Sequence, residues 1–205
     1  MRVLAIETAS EACSVALFEG TRCLARHHEV LGRGHAERLV PAIAGLPDKG
    51  RADEIRVSLG PGSFTGVRIG LAAARALGVA WSAPVLGYPT LALIGAMARS
   101  DSSTGVCVCV NGGHGQWFVQ NFDWQGRPED EVRSLAPEAA VLAVHHARIA
   151  GNRASELAAL VTTNTEPVSI LPDAGATHLL PSSSFTAELA PIYGRLPDAK
   201  PASRS

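Results

Sequence analysis

The stretch "SLGPGSFTGVRIGLAAARA", residues 58–76, constrains the fold more than any other part of this chain. A Gly-Pro-Gly turn with Ser63 and Thr65 stands directly before a run of small residues at helical spacing. Gly66, Gly70 and Ala74 recur every four residues, with Ala73, Ala76 and Ala80 alongside. Residues four apart share a helix face, so the helix predicted from about Thr65 to Trp81 has one face almost bare of side chains. The distance between packed helices depends on the side chains at their contact. Such a face therefore demands a matching partner helix, inside the chain or outside it. Glycine-rich turns that open helices also bind phosphates through backbone N–H groups. Here no lysine follows to complete a P-loop, and G-x-G-x-x-G would need glycine at position 65, which is Thr65. Close packing is the preferred reading.

The flanking sequence supplies the layers around this helix. "RVLAIET", "CSVALFEG" and "RCLARHHEV" read as three strands joined by tight turns. "GHAERLVPAIAGL" places Leu39, Ile43 and Leu46 at helical spacing, with Pro41 predicted to bend the helix or start it irregularly. "EIRVSL" and "APVLGYP" are strand candidates, and "TLALIGAMARS" is a helix with Thr90 as its predicted N-cap. "SDSSTG", residues 100–105, is the best boundary. Beyond it "VCVCVNGGHGQWFVQNFDWQG" reads as a hairpin turning at "NGGHG". "APEAAVLAVHH" and "RASELAALV" are helix-like, with "ARIAG" between them as a strand. Strands and helices thus occur in two rounds. The expected organisation is α/β with two lobes: residues 1–99, a shortened second lobe over 104–190, and a partly disordered tail over 191–205.

Composition removes several functions. Acidic and basic residues number 19 and 18, so no net field draws nucleic acid unaided. Glu7 and Glu11 interrupt the apolar N-terminus, which excludes a secretory signal, and no stretch matches a membrane span. A cytoplasmic protein is expected. Cys107 and Cys109 alternate on one face of a strand, poorly placed to bridge, so the four cysteines read as free buried thiols. His27–His28 and His145–His146 are adjacent pairs whose side chains point apart, and they predict no metal site. Ser14, Ser58 and Ser63 lack a G-x-S-x-G setting and Cys13 has no evident base, which argues against a peptidase.

"LAIETASEACSVAL", "GHAERLVP" and "SLGPGSFTGVRIGLAAARAL" together resemble the TsaB (YeaZ) family, strongly over residues 1 to about 98. The likeness returns weakly at "RIAGNRA" and "APIYGRLPDAKP". The resemblance implies the two-lobed acetate kinase, Hsp70 and actin fold, with mixed sheets flanked by helices. It also implies a non-catalytic subunit, glycoprotease-like in sequence only, that binds the catalytic protein TsaD directly. The machinery makes N6-threonylcarbamoyladenosine at adenosine 37 of tRNAs reading ANN codons. TsaE joins within the complex, tRNA is met only through the complex, and the chain alone forms a homodimer. No cofactor is expected in the isolated chain, although ATP belongs to the complex. Where the catalytic relative holds metal through two histidines four apart, this chain has His35 and Leu39, so no metal is implied.

The partner face is expected on the two N-lobe helices, at Glu37, Arg38, Leu39, Ile43, Phe64, Val67, Arg68, Gly70, Leu71, Ala74 and Arg75. Arg68 and Arg75 lie seven apart, on nearly one face, where they could pair with acids of a partner. The rival is an ATP-binding or ATP-using enzyme of the same fold, gripping phosphates at Thr8, Ala9 and Ser10, with Glu7 where many phosphotransferases carry Asp. One departure from the family is plain. Asn111, Gly112 and Gly113 stand where an Asp-Ala-Arg turn usually opens the second lobe.

Overall fold

A computed structural model describes residues 1–99 and 104–194. In the first lobe β1 (Arg2–Glu7), β2 (Ala12–Glu19) and β3 (Arg22–Val30) form an antiparallel meander. Two further strands, β4 (Glu54–Ser58) and β5 (Val85–Tyr88), add parallel to β1 on its other side. The sheet order is β3-β2-β1-β4-β5. Strand side chains alternate between faces, and β1 divides accordingly. Leu4 and Ile6 enter the core beneath α1 (His35–Ala44) and α2 (Phe64–Trp81), while Val3 and Ala5 face the opposite side with Phe18 and Ala174. α1 runs through Pro41 to Ala44.

The second lobe repeats the plan. β6 (Val106–Gly113), β7 (Gln116–Phe122) and β8 (Arg133–Leu135) are the meander. β9 (Arg148–Ala150) and β10 (Glu166–Val168) extend it in parallel, giving β10-β9-β6-β7-β8. Read from the other edge, this is the strand order of the first sheet. α3 (Thr90–Arg99) joins the lobes: its Leu91, Leu93 and Ile94 are fully buried with Val106, Val108, Phe118 and Phe122. A helix apolar on all sides belongs between layers. Val106, Val108 and Val110 face α3, whereas Cys107 and Cys109 face α5 (Ala154–Leu160) with Ala154 and Leu157, so the two thiols share one strand face.

Local expectations fail where tertiary contacts override sequence pattern. Thr90 is the first helical residue rather than a cap, and its hydroxyl bonds Ser58 Oγ at 3.0 Å. The helix expected over 136–146 shortens to α4 (Pro137–Val141). There Asn121 takes hold of the following turn: its amide donates to Ala143 O at 2.9 Å and its Oδ1 accepts the His145 N–H at 3.2 Å. β8 and β10, three residues each, are too short to show a period, and Pro167 is tolerated because β10 is an edge strand. Three cysteines are buried, but Cys23 is exposed, because β3 is an edge strand of the first sheet. Most of the boundary segment 100–105 and the end of the tail, from 195, lie outside the described residues.

Candidate functional site

The glycine-rich turn and the β1–β2 turn, read separately in the sequence as a packing device and a phosphate grip, form one unit. The inner face of α2 lies directly on the β1–β2 turn. A Cβ on Gly66 would stand 2.1 Å from Thr8 O, and one on Gly70 would stand 2.4 Å from Thr8 Oγ1. Thr8 Oγ1 donates to Gly66 O at 2.8 Å, and Ala9 O accepts the Ser63 N–H at 2.7 Å. Ser63 caps α2 by accepting the Gly66 N–H at 3.1 Å. Further along α2, a Cβ on Gly78 would meet Val85 at 2.6 Å. The close neighbour demanded by the small stripe is therefore the chain's own sheet, not a helix.

This placement corrects the expected partner face. Leu39, Ile43, Val67, Gly70, Leu71 and Ala74 are buried in the first lobe, because they lie on the side of each helix that faces the sheet. Glu37, Arg38, Phe64, Arg68 and Arg75 stand at the surface. The residues turned outward that the expected partner face omitted are small or aliphatic: Ala36, Val40, Pro41 and Ala44 on α1, with Ala72, Val79 and, away from the stripe they were read alongside, Ala76 and Ala80 on α2. Val40 is 62% exposed and Val79 is 85% exposed. The arginines are occupied within the chain. Arg38 binds Glu29 Oε2 through Nε and Nη2 at 3.1 and 2.8 Å, which holds the Glu29 carboxyl below its ordinary range. Arg68 donates to the Tyr193 hydroxyl at 3.2 Å and Arg75 to Leu189 O at 3.0 Å.

A cavity of about 880 Å³ lies between the lobes, walled by Ala9, Ser10, Ser63 and Phe64 on one side and by Asn111, Gly112 and Phe118 on the other. Asn152 Nδ2 reaches both oxygens of Glu11 at 2.8 and 3.0 Å, and its Oδ1 accepts the Asn111 N–H at 2.9 Å. One side chain thus ties the two lobes at the cleft. Of the three residues of the expected phosphate grip, Thr8 has its hydroxyl committed to α2. The Ala9 N–H donates to Glu7 Oε1 at 2.7 Å. Ser10 Oγ accepts the Ala12 N–H at 3.1 Å. Beneath this wall Glu7 is fully buried, and its Oε2 has no partner at hydrogen-bond distance. Burial pushes its carboxyl up to about 7, against the opposing pull of the Ala9 N–H and the nearby Ser58 and Thr90 hydroxyls.

His35 is buried against Ala12 O at 3.2 Å, while Leu39 fills the core. Among the described residues no group of three or more His, Cys, Asp and Glu could hold a metal ion. Within them, no helix is long and apolar enough to cross a membrane. Glu11, Asn152 and Tyr193 were missed as site residues, although "RIAGNRA" and "APIYGRLPDAKP" already marked the last two segments.

The model of the TsaD family, tRNA N6-adenosine threonylcarbamoyltransferase, matches residues 27–164. The tRNA threonylcarbamoyladenosine biosynthesis protein TsaB of Escherichia coli is 34% identical over 151 residues, covering 67% of this chain and 64% of that protein. An uncharacterized protein of Mycobacterium tuberculosis, Rv3421c, is 34% identical over 97% of this chain and 94% of its own length. The solved structure of YeaZ from Pseudomonas aeruginosa superposes with a TM-score of 0.79 at 29% identity, covering 94% of this chain and 99% of that one. The two mirrored sheets flanked by helices are the two-lobed acetate kinase, Hsp70 and actin arrangement. By sequence and by fold, the chain belongs to the TsaB (YeaZ) family of tRNA threonylcarbamoyladenosine biosynthesis proteins.

Proposed function

We propose that this chain is the non-catalytic subunit that binds TsaD and is required for threonylcarbamoylation of tRNA. The observation that carries the reading is the outer face of α1 and α2. Val40, Ala44, Ala72, Ala76 and Val79 face solvent, while the inner faces of both helices are committed to the sheet. Small and aliphatic residues at a helix surface admit another helix at short distance, and Val79 supplies an uncovered apolar anchor. A second copy of the chain would occupy the same face when TsaD is absent. TsaE and tRNA join through the complex, ATP acts in the complex rather than in this chain, and the protein works in the cytoplasm.

The rival reading of a nucleotide-using enzyme gains space from the cleft. Against it stands the expected phosphate grip, two of whose three residues have their donors engaged: the Thr8 hydroxyl and the Ala9 N–H already have partners. The test is calorimetric titration of TsaD into the wild-type chain and into Val79→Glu, together with a titration of ATP. TsaD is expected to bind the wild type and to lose at least tenfold in affinity against the variant. ATP binding by the isolated chain at micromolar affinity, with no binding of TsaD, overturns the reading.

A further inference from the structure

After β10 the chain returns to the first lobe and ends its described course as a strap beside α2. Four anchors hold it. Asp173 receives Ser14 Oγ at 3.1 Å, Arg26 Nε at 2.9 Å and the Gly175 N–H at 2.8 Å. The Phe185 ring lies under the Arg56 guanidinium at 4.1 Å and meets Tyr88 edge-on at 6.3 Å. Thr186 exchanges both backbone hydrogen bonds with Gly87, at 2.7 and 3.0 Å, and so caps the edge of β5. The Ile192 N–H donates to Leu59 O at 2.8 Å, while Leu189 and Ile192 pack on the first-lobe core.

Two arginines of α2 complete the attachment. Arg75 Nη2 donates to Leu189 O at 3.0 Å and Arg68 Nη2 to the Tyr193 hydroxyl at 3.2 Å. The strap therefore runs antiparallel to the helix. Seven helical residues rise about 10 Å, and four extended residues span about 13 Å, so the two tracks keep step. The Arg68 guanidinium also lies 3.6 Å over the Phe64 ring, and Phe64 and Tyr193 are 5.8 Å apart between centroids. Arg68, Ala72, Arg75 and Val79 recur at helical spacing on the solvent side of α2. Anything seated on the outer face of α2 therefore meets both arginines. Each gives a hydroxyl or a carbonyl a hydrogen bond, and a carboxylate is the stronger acceptor for a guanidinium.

We propose that the strap over residues 185–193 is the second half of the partner surface, with Arg68 and Arg75 as exchangeable links. In the free chain they hold Tyr193 and Leu189. In the complex they turn to carboxylates on a protein partner whose contact surface is otherwise aliphatic, and the strap loosens. Because Ile192 and Tyr193 also wall the cleft, partner binding on α2 moves one side of that cavity. Two sites joined by one two-state element are the requirement for coupling. This inference rests on the reading that the outer face of α1 and α2 receives TsaD.

Hydrogen exchange with and without TsaD from the same organism tests it. In the free chain the Thr186 and Ile192 amides should be protected. Adding TsaD should protect the amides of α2 and accelerate exchange at Ile192 about fivefold. Tyr193→Phe keeps the ring and removes the acceptor from Arg68. It should accelerate Ile192 exchange in the free chain and tighten TsaD binding severalfold, while Arg75→Ala should weaken binding. Binding of TsaD with no change at Ile192, and with equal affinities for wild type and Tyr193→Phe, overturns the exchange while leaving the α2 face standing. Failure of TsaD to bind the wild type removes both readings together.

Discussion

Glu7 ends β1 in a place where a carboxylate has almost no company. Its Oε1 accepts the Ala9 N–H, its Oε2 has no bonded partner, and Tyr88 beside it gives its hydroxyl to Ile6 O at 2.9 Å. Burial raises its pKa from 4.5 to about 7. The folded state therefore holds this proton more tightly than the unfolded chain. The associated stability is fully present below the unfolded value of 4.5 and is lost as pH rises through about 7. Glu7→Gln keeps the acceptor for Ala9, carries no charge and offers an amide to the Ser58 and Thr90 hydroxyls. Urea denaturation should find the variant close to wild type at pH 4.5 and more stable by roughly 3 kcal/mol at pH 8.5. Equal slopes of stability against pH for the two proteins would show that the Glu7 carboxyl titrates alike in the folded and unfolded states, so that burial does not raise its pKa. The sequence marked Glu7 as a position of interest, but its burial depends on Tyr88 and Thr90, which no local pattern links to it.

At the scale of the element, α2 divides into two faces with different tests. The inner stripe fits against backbone at Gly66 and against a side chain at Gly70. A Cβ on Gly66 meets Thr8 O, which no rotamer change can move, whereas one on Gly70 meets Thr8 Oγ1, which can rotate after giving up its bond to Gly66 O. Gly66→Ala should cost about 3 kcal/mol by overpacking and Gly70→Ala about 1 kcal/mol, with Ala76→Ser on the outer face as the neutral control. Thermal unfolding of the three variants gives the ranking, and a Gly66→Ala protein as stable as the control would refute the fitted contact. The helix itself, its limits and its bare face were legible in the four-residue recurrence of Gly66, Gly70 and Ala74. What it packs against was not. The matching surface is the β1–β2 turn, 58 residues away at the bond from Thr8 to Gly66, and a small-residue stripe fits a turn as well as a helix. The same ambiguity put Leu39, Ile43, Val67 and Leu71 on the partner face, because periodicity finds an apolar stripe without saying which way it turns.

For the whole molecule, the two rounds of strands and helices were readable, and the mirrored sheet orders show why: each lobe opens on two long antiparallel strands rich in β-formers. Apart from α3, the connections between lobes were not readable, since they rest on single polar side chains and on a strap with no repeating pattern. Asn152 is the sharpest case. Its amide donates to both oxygens of Glu11 while its Oδ1 accepts the Asn111 N–H, so one residue fixes the first-lobe turn to the start of the second-lobe hairpin. Asn152→Asp keeps the shape, retains an acceptor for Asn111 and replaces the donor to Glu11 with a second carboxylate. Two carboxylates at that separation resist simultaneous ionisation. At neutral pH the variant should part at the cleft, with a larger radius of gyration in solution scattering and faster exchange at the Asn111 amide after correction for intrinsic rates. Near pH 4 one of the pair takes a proton, the hydrogen bond returns as O–H to carboxylate, and both measures should approach the wild-type values. Asn152→Ala, which removes the link without adding charge, should open the cleft at both pH values. Should all three proteins scatter alike and protect Asn111 equally at neutral pH, the lobes are held by the buried side chains of α3 and by the strap, and the polar tie at the cleft has no part in setting their spacing.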